Sequence, residues 1–133
     1  MPPLILAHSK NGKGEASRRI HRWARRYGLR GGESERPTLL NSWEGVYFTF
    51  TEKVLHGMMK RAADLGIELF VLDDGWFGGR FPRNDARAGL GDWQVNRAKL
   101  PHGLEGLIRQ AEKLGIRFGI WVEPEMVNPH SEL

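Results

Sequence analysis

An internal repeat is the feature that most constrains the fold of this chain. Residues 62–72 align with residues 111–121, and each copy contains a helix end, a Leu-Gly-Ile turn and an apolar run. Apolar runs bounded by turn residues are typical of strands buried on both faces, so strands are predicted at 67–72 and 116–122. Because a helix precedes each of these strands, the order predicts an α/β fold in which parallel strands are joined by right-handed crossovers.

Three further elements are predicted around the repeat. A short strand candidate lies at 39–43. Thr49 and Glu52 have the spacing of a capping box, which predicts that a helix starts there, and Gly66 ends that helix. A second helix is predicted at about 103–114, directly before the last strand.

The first part of the chain differs from the rest. It is predicted to contain a short strand at 4–8, a helix at 15–27 whose apolar side chains are surrounded by arginines, and a polar linker at 31–37. A boundary near the end of this linker predicts two regions, 1–36 and 37–133.

Positive charge is concentrated in the N-terminal region. Residues 1–37 contain nine Lys and Arg against three Asp and Glu, a net charge of +6, whereas residues 38–133 contain 11 against 13, a net charge of −2. The basic helix could bind phosphate or another anionic surface, but such runs more often face solvent or pack on another part of a parent protein. We therefore expect no nucleic-acid partner.

Composition narrows the chemistry further. The chain has no cysteine, which excludes disulfides and thiolate chemistry and leads us to expect a cytoplasmic protein. No segment approaches the roughly 20 apolar residues of a membrane helix, and the N-terminus lacks the basic start of a signal peptide. The five histidines show no metal-ligand spacing, and the glycines match neither the dinucleotide nor the P-loop fingerprint. We expect no metal, no cofactor and no membrane partner.

Two adjacent carboxylates, Asp73 and Asp74, follow the apolar run at 67–72. Acids at the end of a buried strand are costly unless they have partners, and ligands of parallel α/β folds bind at this end of the strands. The repeat places Asp74 level with Glu123, so residues that follow different strands are expected to meet at one edge. We predict that the two acids hold a polyhydroxylated or cationic ligand. The alternative is a turn in which one Asp caps the next segment.

Four tryptophans are candidates for the walls of the same site. Trp43 ends the predicted strand at 39–43 and Trp121 lies in the last strand, so either could line a pocket or sit in the core with its indole N–H satisfied. Trp76 follows the two acids and offers an apolar wall. Trp93 lies in a loop from 75 to 98 that is longer than compact domains usually contain, and it forms either a pocket wall or a loop anchor.

Five motifs in order resemble the α-galactosidases of glycoside hydrolase family 36. They are Asn41-Ser42-Trp43-Glu44, Leu72-Asp73-Asp74-Gly75-Trp76-Phe77-Gly78, Gly91-Asp92-Trp93 with Asn96, Leu100-Pro101-His102-Gly103-Leu104, and Gly119-Ile120-Trp121-Val122-Glu123-Pro124-Glu125-Met126-Val127-Asn128-Pro129. The resemblance implies a hydrolase that removes terminal α-linked galactose with retention. It also implies a partial (β/α)8 TIM barrel of about three βα units in 37–133, because a whole barrel needs roughly 250 residues. The short strand and basic helix of 1–36 resemble the end of that family's N-terminal sandwich and the helix that leads to its barrel.

The resemblance assigns binding roles and no catalytic residue to this chain. The family's nucleophile lies in a Lys-x-Asp motif that has no match here, so the isolated chain is expected to be inactive. The implied partner is an α-galactoside oligosaccharide, and the parent enzyme is expected to be a homo-oligomer. The alternative is a non-catalytic sugar-binding half-barrel or an interaction module. Carried over by position, the substrate-binding residues are Asp73, Asp74, Trp43 and Trp121, with Trp76 and Trp93 as candidates for the pocket rim.

Overall fold

Three parallel strands organise the larger part of the chain in the computed structural model, which describes residues 4–133. The strands are β1 (Leu39–Asn41), β2 (Leu69–Leu72) and β3 (Arg117–Ile120), and they lie side by side in the order β1-β2-β3. Both pairings are parallel, as the repeat predicts. Each strand is shorter than the range predicted for it, because only part of that range takes part in the sheet ladder.

The register of β2 and β3 differs by one residue from the repeat. Phe70 lies beside Phe118 and Leu72 beside Ile120. Carried past the strand ends, this register places Asp74 level with Val122, so the prediction that Asp74 is level with Glu123 is wrong. Side chains alternate between the two faces of a strand, so the observed register puts Phe70 and Phe118 on the same face, where both pack in the core.

The described residues 4–133 form four α-helices. They are α1 (Gly12–Trp23), α2 (Trp43–Val46), α3 (Glu52–Asp64) and α4 (Gly103–Lys113). The short helix α2 was not predicted, and it takes up residues that the sequence assigned to the end of the first strand. In the part of the chain that the structure describes, none of the helices has the length and the apolar run needed to cross a bilayer.

The predicted capping box of α3 is wrong. The residue that caps the helix is Thr51, whose Oγ1 accepts from the backbone N–H of Val54 at 3.4 Å. Glu52 is the first residue of the helix, and its carboxylate accepts instead from His102. An N-cap residue needs an extended backbone, and Thr51 has one. Thr51 is therefore the N-cap, and Thr49, two residues earlier, is not.

Apolar faces of α3 and α4 cover the sheet and form the core. The buried side chains of α3 recur at helical spacing, with Leu55 and Met59 fully buried, and α4 contributes Leu107 in the same way. They pack against the alternating buried residues of β2, Phe70 and Leu72. Burial of each such side chain contributes about 1.5–3 kcal/mol, so the two helices are anchored by packing.

The long loop at 75–98 is folded against this core. Phe77 and Val95 form an antiparallel bridge, and the backbone N–H of Asn96 donates to the carbonyl of Trp76 at 2.9 Å. Gly78 has a φ of 91°, and a Cβ there would collide with the carbonyl oxygen of Phe81. The loop therefore closes on itself at a glycine that no other residue could replace without strain.

The chain divides into two compact units, Met1–Arg36 and Pro37–Leu133. In the first unit, residues 4–8 form no strand, and Leu4 and Leu6 are exposed; the strand prediction there is wrong because no strand of that unit's described residues offers them a partner. The helix starts at Gly12, earlier than predicted, and ends in a π-helical turn, Ala24–Gly28. Residues 1–3 of the predicted region 1–36 lie outside the described residues, and the assignment of the two regions stays a prediction.

Candidate functional site

Residues that follow β1 and β2 meet at the carboxyl ends of the two strands. The backbone N–H of Ser42 donates to the carbonyl of Val71 at 3.0 Å, which extends the strand pairing by one residue. The buried Ser42 hydroxyl then accepts from the backbone N–H of Asp73 at 3.0 Å. These two bonds place the start of the Asp73-Asp74 turn beside the end of β1.

Asp73 is half-buried and held from two sides. Its Oδ2 accepts from the Asn41 amide nitrogen at 2.5 Å, and its Oδ1 accepts from the backbone N–H of Asp74 at 2.8 Å. The Asn41 side-chain oxygen in turn accepts from the backbone N–H of Trp43 at 2.7 Å. A carboxylate oxygen can accept more than one hydrogen bond, so Asp73 is oriented by these contacts and keeps capacity for a ligand hydroxyl.

Asp74 lies in a different environment, inside a buried ion pair. It is 6% exposed, its partner Arg83 is 5% exposed, and the Asp74 Oδ2 to Arg83 Nη2 distance is 2.8 Å. Oδ1 accepts from Arg83 Nε at 3.0 Å and from the backbone N–H of Gly75 at 2.6 Å. The pair is therefore bidentate, the geometry in which a guanidinium binds a carboxylate most strongly.

The two acids therefore do different things. Asp73 accepts from Asn41, the last residue of β1, whereas Asp74 bonds to Arg83 of the long loop. Neighbouring residues leaving a strand point to opposite sides. The two carboxylates are therefore held by different parts of the chain.

Arg83 also connects the long loop to the last segment of the chain. Its Nη1 donates to the Asn128 side-chain oxygen at 3.0 Å and to the carbonyl of Ala88 at 3.2 Å. The same Asn128 oxygen accepts from the backbone N–H of Leu90 at 3.0 Å. One guanidinium thus joins the turn after β2, the loop and the segment after β3.

Three tryptophans share one aromatic cluster. Trp76 is buried, and its indole N–H donates to the carbonyl of Trp121 at 3.0 Å. Trp93 and Trp121 are half-buried, and their ring centroids are 6.4 Å apart. The ring centroids of Trp93 and Phe77 are 4.5 Å apart. The structure therefore places Trp76 beneath the half-buried Trp93 and Trp121, the two that still offer surface.

Trp43 belongs to a separate aromatic group. Trp43 is the first residue of α2. Its ring packs edge-on against the rings of Tyr47 and Phe48, with centroids 5.1 Å and 5.0 Å apart. Tyr47 ends that helix with a φ of 45°, a conformation that non-glycine residues adopt at a cost of about 1–3 kcal/mol. Trp43 thus lies in a short helix that is followed by a strained residue.

Two ionisable groups close to this part of the structure, Glu52 and Lys99, have shifted pKa values. Burial alone would raise the pKa of Glu52, but hydrogen bonds from His102 outweigh it and hold that pKa below its usual value. Burial lowers the pKa of Lys99 to about 8, with the Asp74 carboxylate acting in the opposite direction. Among residues 4–133, no group of three His, Asp or Glu side chains is arranged to hold a metal ion.

Sequence reasoning missed Arg83 and Lys99, and it singled out Glu52 only as a capping-box residue. Each is a charged residue that the chain brings inward through contacts more than eight positions away in sequence. No periodic pattern marks such contacts. The one available signal is the length of the loop at 75–98, since loops of that length are usually functional.

Comparison with known proteins identifies the same family as the sequence motifs. The sequence profile of the melibiase family matches residues 1–133. The chain belongs to the melibiase family. Among curated melibiase relatives, α-galactosidase C of Emericella nidulans is 49% identical over 144 residues, covering 99% of this chain and 19% of its own length. α-Galactosidase AgaA of Geobacillus stearothermophilus is 50% identical over 134 residues, covering 99% of this chain and 18% of its own length.

Solved structures of melibiase relatives show the same likeness. A variant of the glycoside hydrolase family 36 α-galactosidase AgaA in complex with 1-deoxygalactonojirimycin aligns with a TM-score of 0.81 at 51% identity, over 88% of this chain and 16% of that one. A second AgaA variant, in complex with raffinose, aligns with a TM-score of 0.73 at 57% identity, over 77% of this chain and 14% of that one. The resemblance to family 36 is confirmed, and the chain spans less than a fifth of the curated relatives' length.

Proposed function

We propose that this chain forms part of the galactose-binding subsite of an α-galactosidase that acts with retention. The observation that carries the proposal is the oriented carboxylate of Asp73 at the carboxyl end of β2. Asn41 donates to that carboxylate, and the buried Ser42 hydroxyl accepts from the Asp73 backbone N–H. Carboxylates accept strongly from hydroxyls, and a sugar offers several hydroxyls at fixed angles. The ligands named for the AgaA structures, raffinose and 1-deoxygalactonojirimycin, support a sugar as the partner.

Asp74 is proposed as a second acceptor in the same subsite. Its two oxygens already bind Arg83 and Gly75, so any sugar hydroxyl would use a remaining lone pair. The half-buried rings of Trp43 and Trp121 are proposed as walls, with the half-buried Trp93 and the buried Trp76 as the pocket rim. Apolar ring faces suit the C–H faces of a sugar while the acids take its hydroxyls.

The proposed scaffold is the first part of a (β/α)8 barrel. Support comes from three parallel strands with α3 between the first two and α4 between the last two. Ligand sites in such barrels lie at the carboxyl ends of the strands, which is where Asp73, Asp74 and Trp121 lie. The cytoplasmic location and the homo-oligomeric parent enzyme stay predictions.

The proposal assigns cleavage to residues outside this chain. Retention needs a nucleophile and an acid/base whose carboxyls are about 5–5.5 Å apart across the scissile bond. Asp73 and Asp74 diverge, so we propose that they bind the sugar and leave catalysis to acids on later barrel strands. The 133-residue chain alone is then expected to bind galactose weakly and to hydrolyse no α-galactoside.

Binding and turnover test the proposal separately. Galactose should perturb the NMR signals around Asp73 in the wild-type chain, and Asp73→Ala should abolish the perturbation. Glu44→Ala, in an exposed helix position, serves as the control. The proposal fails if galactose binds equally well to Asp73→Ala. Turnover of an α-galactoside by the purified chain, lost in Asp73→Ala, would show that the catalytic pair lies within these residues.

A further inference from the structure

Lys99 makes an unusual set of contacts beside the candidate site. Its Nζ donates to the carbonyls of Phe48 at 2.8 Å, Gly75 at 2.8 Å and Arg83 at 3.0 Å. An ammonium group has three N–H donors, and here all three are used on backbone oxygens. The three carbonyls belong to the segment after α2, the turn after β2 and the long loop.

Two of the three acceptors belong to residues that set the position of Asp74. Gly75 is the residue directly after Asp74, and it has a φ of 98°. Arg83 is the residue whose guanidinium binds Asp74. Lys99 therefore holds Arg83 through its own carbonyl and Asp74 through the carbonyl of the next residue, in addition to the direct contact between the two side chains.

The backbone around Lys99 is itself tied to neighbouring elements. Its carbonyl accepts from the backbone N–H of Glu52 at 3.0 Å, and the backbone N–H of His102 donates to the Glu52 carboxylate at 3.0 Å. The N–H of Asn96 donates to the carbonyl of Trp76. The segment from Asn96 to His102 is thus anchored at both ends, so the backbone that carries the Lys99 side chain has a fixed position.

We propose that Lys99 is a positioning residue that sets the geometry of the Asp73-Asp74 turn for sugar binding. The inference rests on the proposed function for its effect on galactose, whereas its effect on the turn is independent of any ligand. A lysine that contributed only to folding would change stability and leave the affinity of the folded molecules unaltered. A positioning lysine changes the affinity of molecules that are folded, because a carboxylate displaced by a fraction of a bond length loses its hydrogen bonds.

The primary test compares Lys99→Met with Lys53→Met. Methionine keeps most of the apolar stem of Lys99 and removes its donors, and Lys53 is an exposed lysine of α3 that serves as the matched control. Galactose affinity is measured by NMR titration at a temperature where both variants are folded. We expect Lys99→Met to bind at least tenfold more weakly than wild type and Lys53→Met to bind within twofold of it. Lys99→Arg, which keeps the charge in a planar donor group, should recover part of the loss.

A second readout needs no sugar. Amide hydrogen exchange from Asp74 to Trp76 should accelerate in Lys99→Met and stay unchanged in Lys53→Met. If wild type shows no galactose binding, the proposed function fails while this readout still decides the role of Lys99. Unchanged exchange, or an affinity within twofold of wild type in a folded Lys99→Met, would overturn the inference.

A measurement on the wild-type chain covers the case in which Lys99→Met does not fold. An ammonium bound to three carbonyls exchanges its protons slowly, so one lysine side-chain NH3+ signal should remain visible where those of exposed lysines are lost. Lys99→Arg identifies that signal by its disappearance. Absence of a protected ammonium signal would overturn the inference.

Discussion

At the scale of single residues, the environment of Asp74 decides how its site is built. A buried carboxylate is costly, and the attraction of a buried partner roughly offsets that cost without adding much net stability. The bidentate contact with Arg83, reinforced by Asn128 and Ala88, meets this requirement. The pair therefore specifies how the loop is placed more than it stabilises the fold.

Removing one partner of this pair should be far more damaging than removing both. We expect Arg83→Met to destabilise the chain by about 3–5 kcal/mol, because it leaves the Asp74 charge buried without a partner. The double variant Arg83→Met with Asp74→Asn should recover much of that loss. Urea unfolding measures both.

The control for this prediction lies in the same loop. Arg87 pairs with Asp85 at 2.8 Å, but both are largely exposed, so Arg87→Met should leave the unfolding midpoint unchanged. Equal effects of Arg83→Met and Arg87→Met would mean that burial of the Asp74 pair has no energetic weight.

At the scale of elements, Glu52 joins the start of α3 to the start of α4. Its carboxylate accepts from the backbone N–H of His102 at 3.0 Å and lies 2.9 Å from the His102 Nδ1, while His56 approaches at 3.8 Å. Lys53 and Lys99 line the same groove. Glu52, the first residue of α3, thus connects two βα units.

Stability should depend on pH through Glu52. Its pKa is lower in the folded chain than the ordinary value of about 4.3, so the folded state favours the ionised form. That contribution is fully present above the unfolded pKa and is lost as pH falls through the folded pKa. Glu52→Gln should therefore cost about 1–3 kcal/mol at pH 7 and progressively less at acidic pH.

Chemical unfolding at a series of pH values measures this difference. Glu112→Gln, at an exposed position of α4, should show no comparable pH-dependent loss. A Glu52→Gln penalty that stays constant down to pH 3 would contradict a role for the ionised carboxylate.

At the scale of the whole molecule, the described sheet has three strands and two outer edges. The outer sides of β1 and β3 carry backbone donors and acceptors that no other described strand pairs. Ile120 and Val122 lie exposed at or just past the end of β3. Unpaired strand edges with apolar side chains favour association with another strand.

The 133-residue chain should therefore associate as its concentration rises, and a charge at the strand edge should oppose this. We expect Ile120→Lys to weaken self-association at least fivefold in sedimentation velocity experiments. Ile108→Lys on α4 is the matched control, because Ile108 is 39% exposed and Ile120 is 38% exposed. Equal weakening by both variants would indicate association through general apolar surface and not through the strand edge.

Much of the fold could be predicted because its signals are local. The Leu-Gly-Ile repeat predicted β2, β3 and the ends of both preceding helices, since apolar periodicity and glycine positions act over a few residues. The predictions are wrong where the structure depends on contacts with a second segment of the chain. Thr51 and not Thr49 caps α3, residues 4–8 form no strand without a partner, and β3 pairs one residue away from the repeat so that Phe118 shares a face with Phe70.

By itself the sequence determined the parallel α/β order, the place of Asp73 and Asp74 after a buried strand, and the motifs that assign the chain to the melibiase family. Only the tertiary structure decided that the two acids differ, with Asp73 oriented by Asn41 and Asp74 enclosed with Arg83. It alone showed that Lys99 holds three carbonyls. The physical reason is that helices and strands follow from a periodic pattern of neighbouring residues, which the sequence shows directly. Burial of a charge, by contrast, depends on partners brought from distant positions, and no spacing along the chain records that pairing.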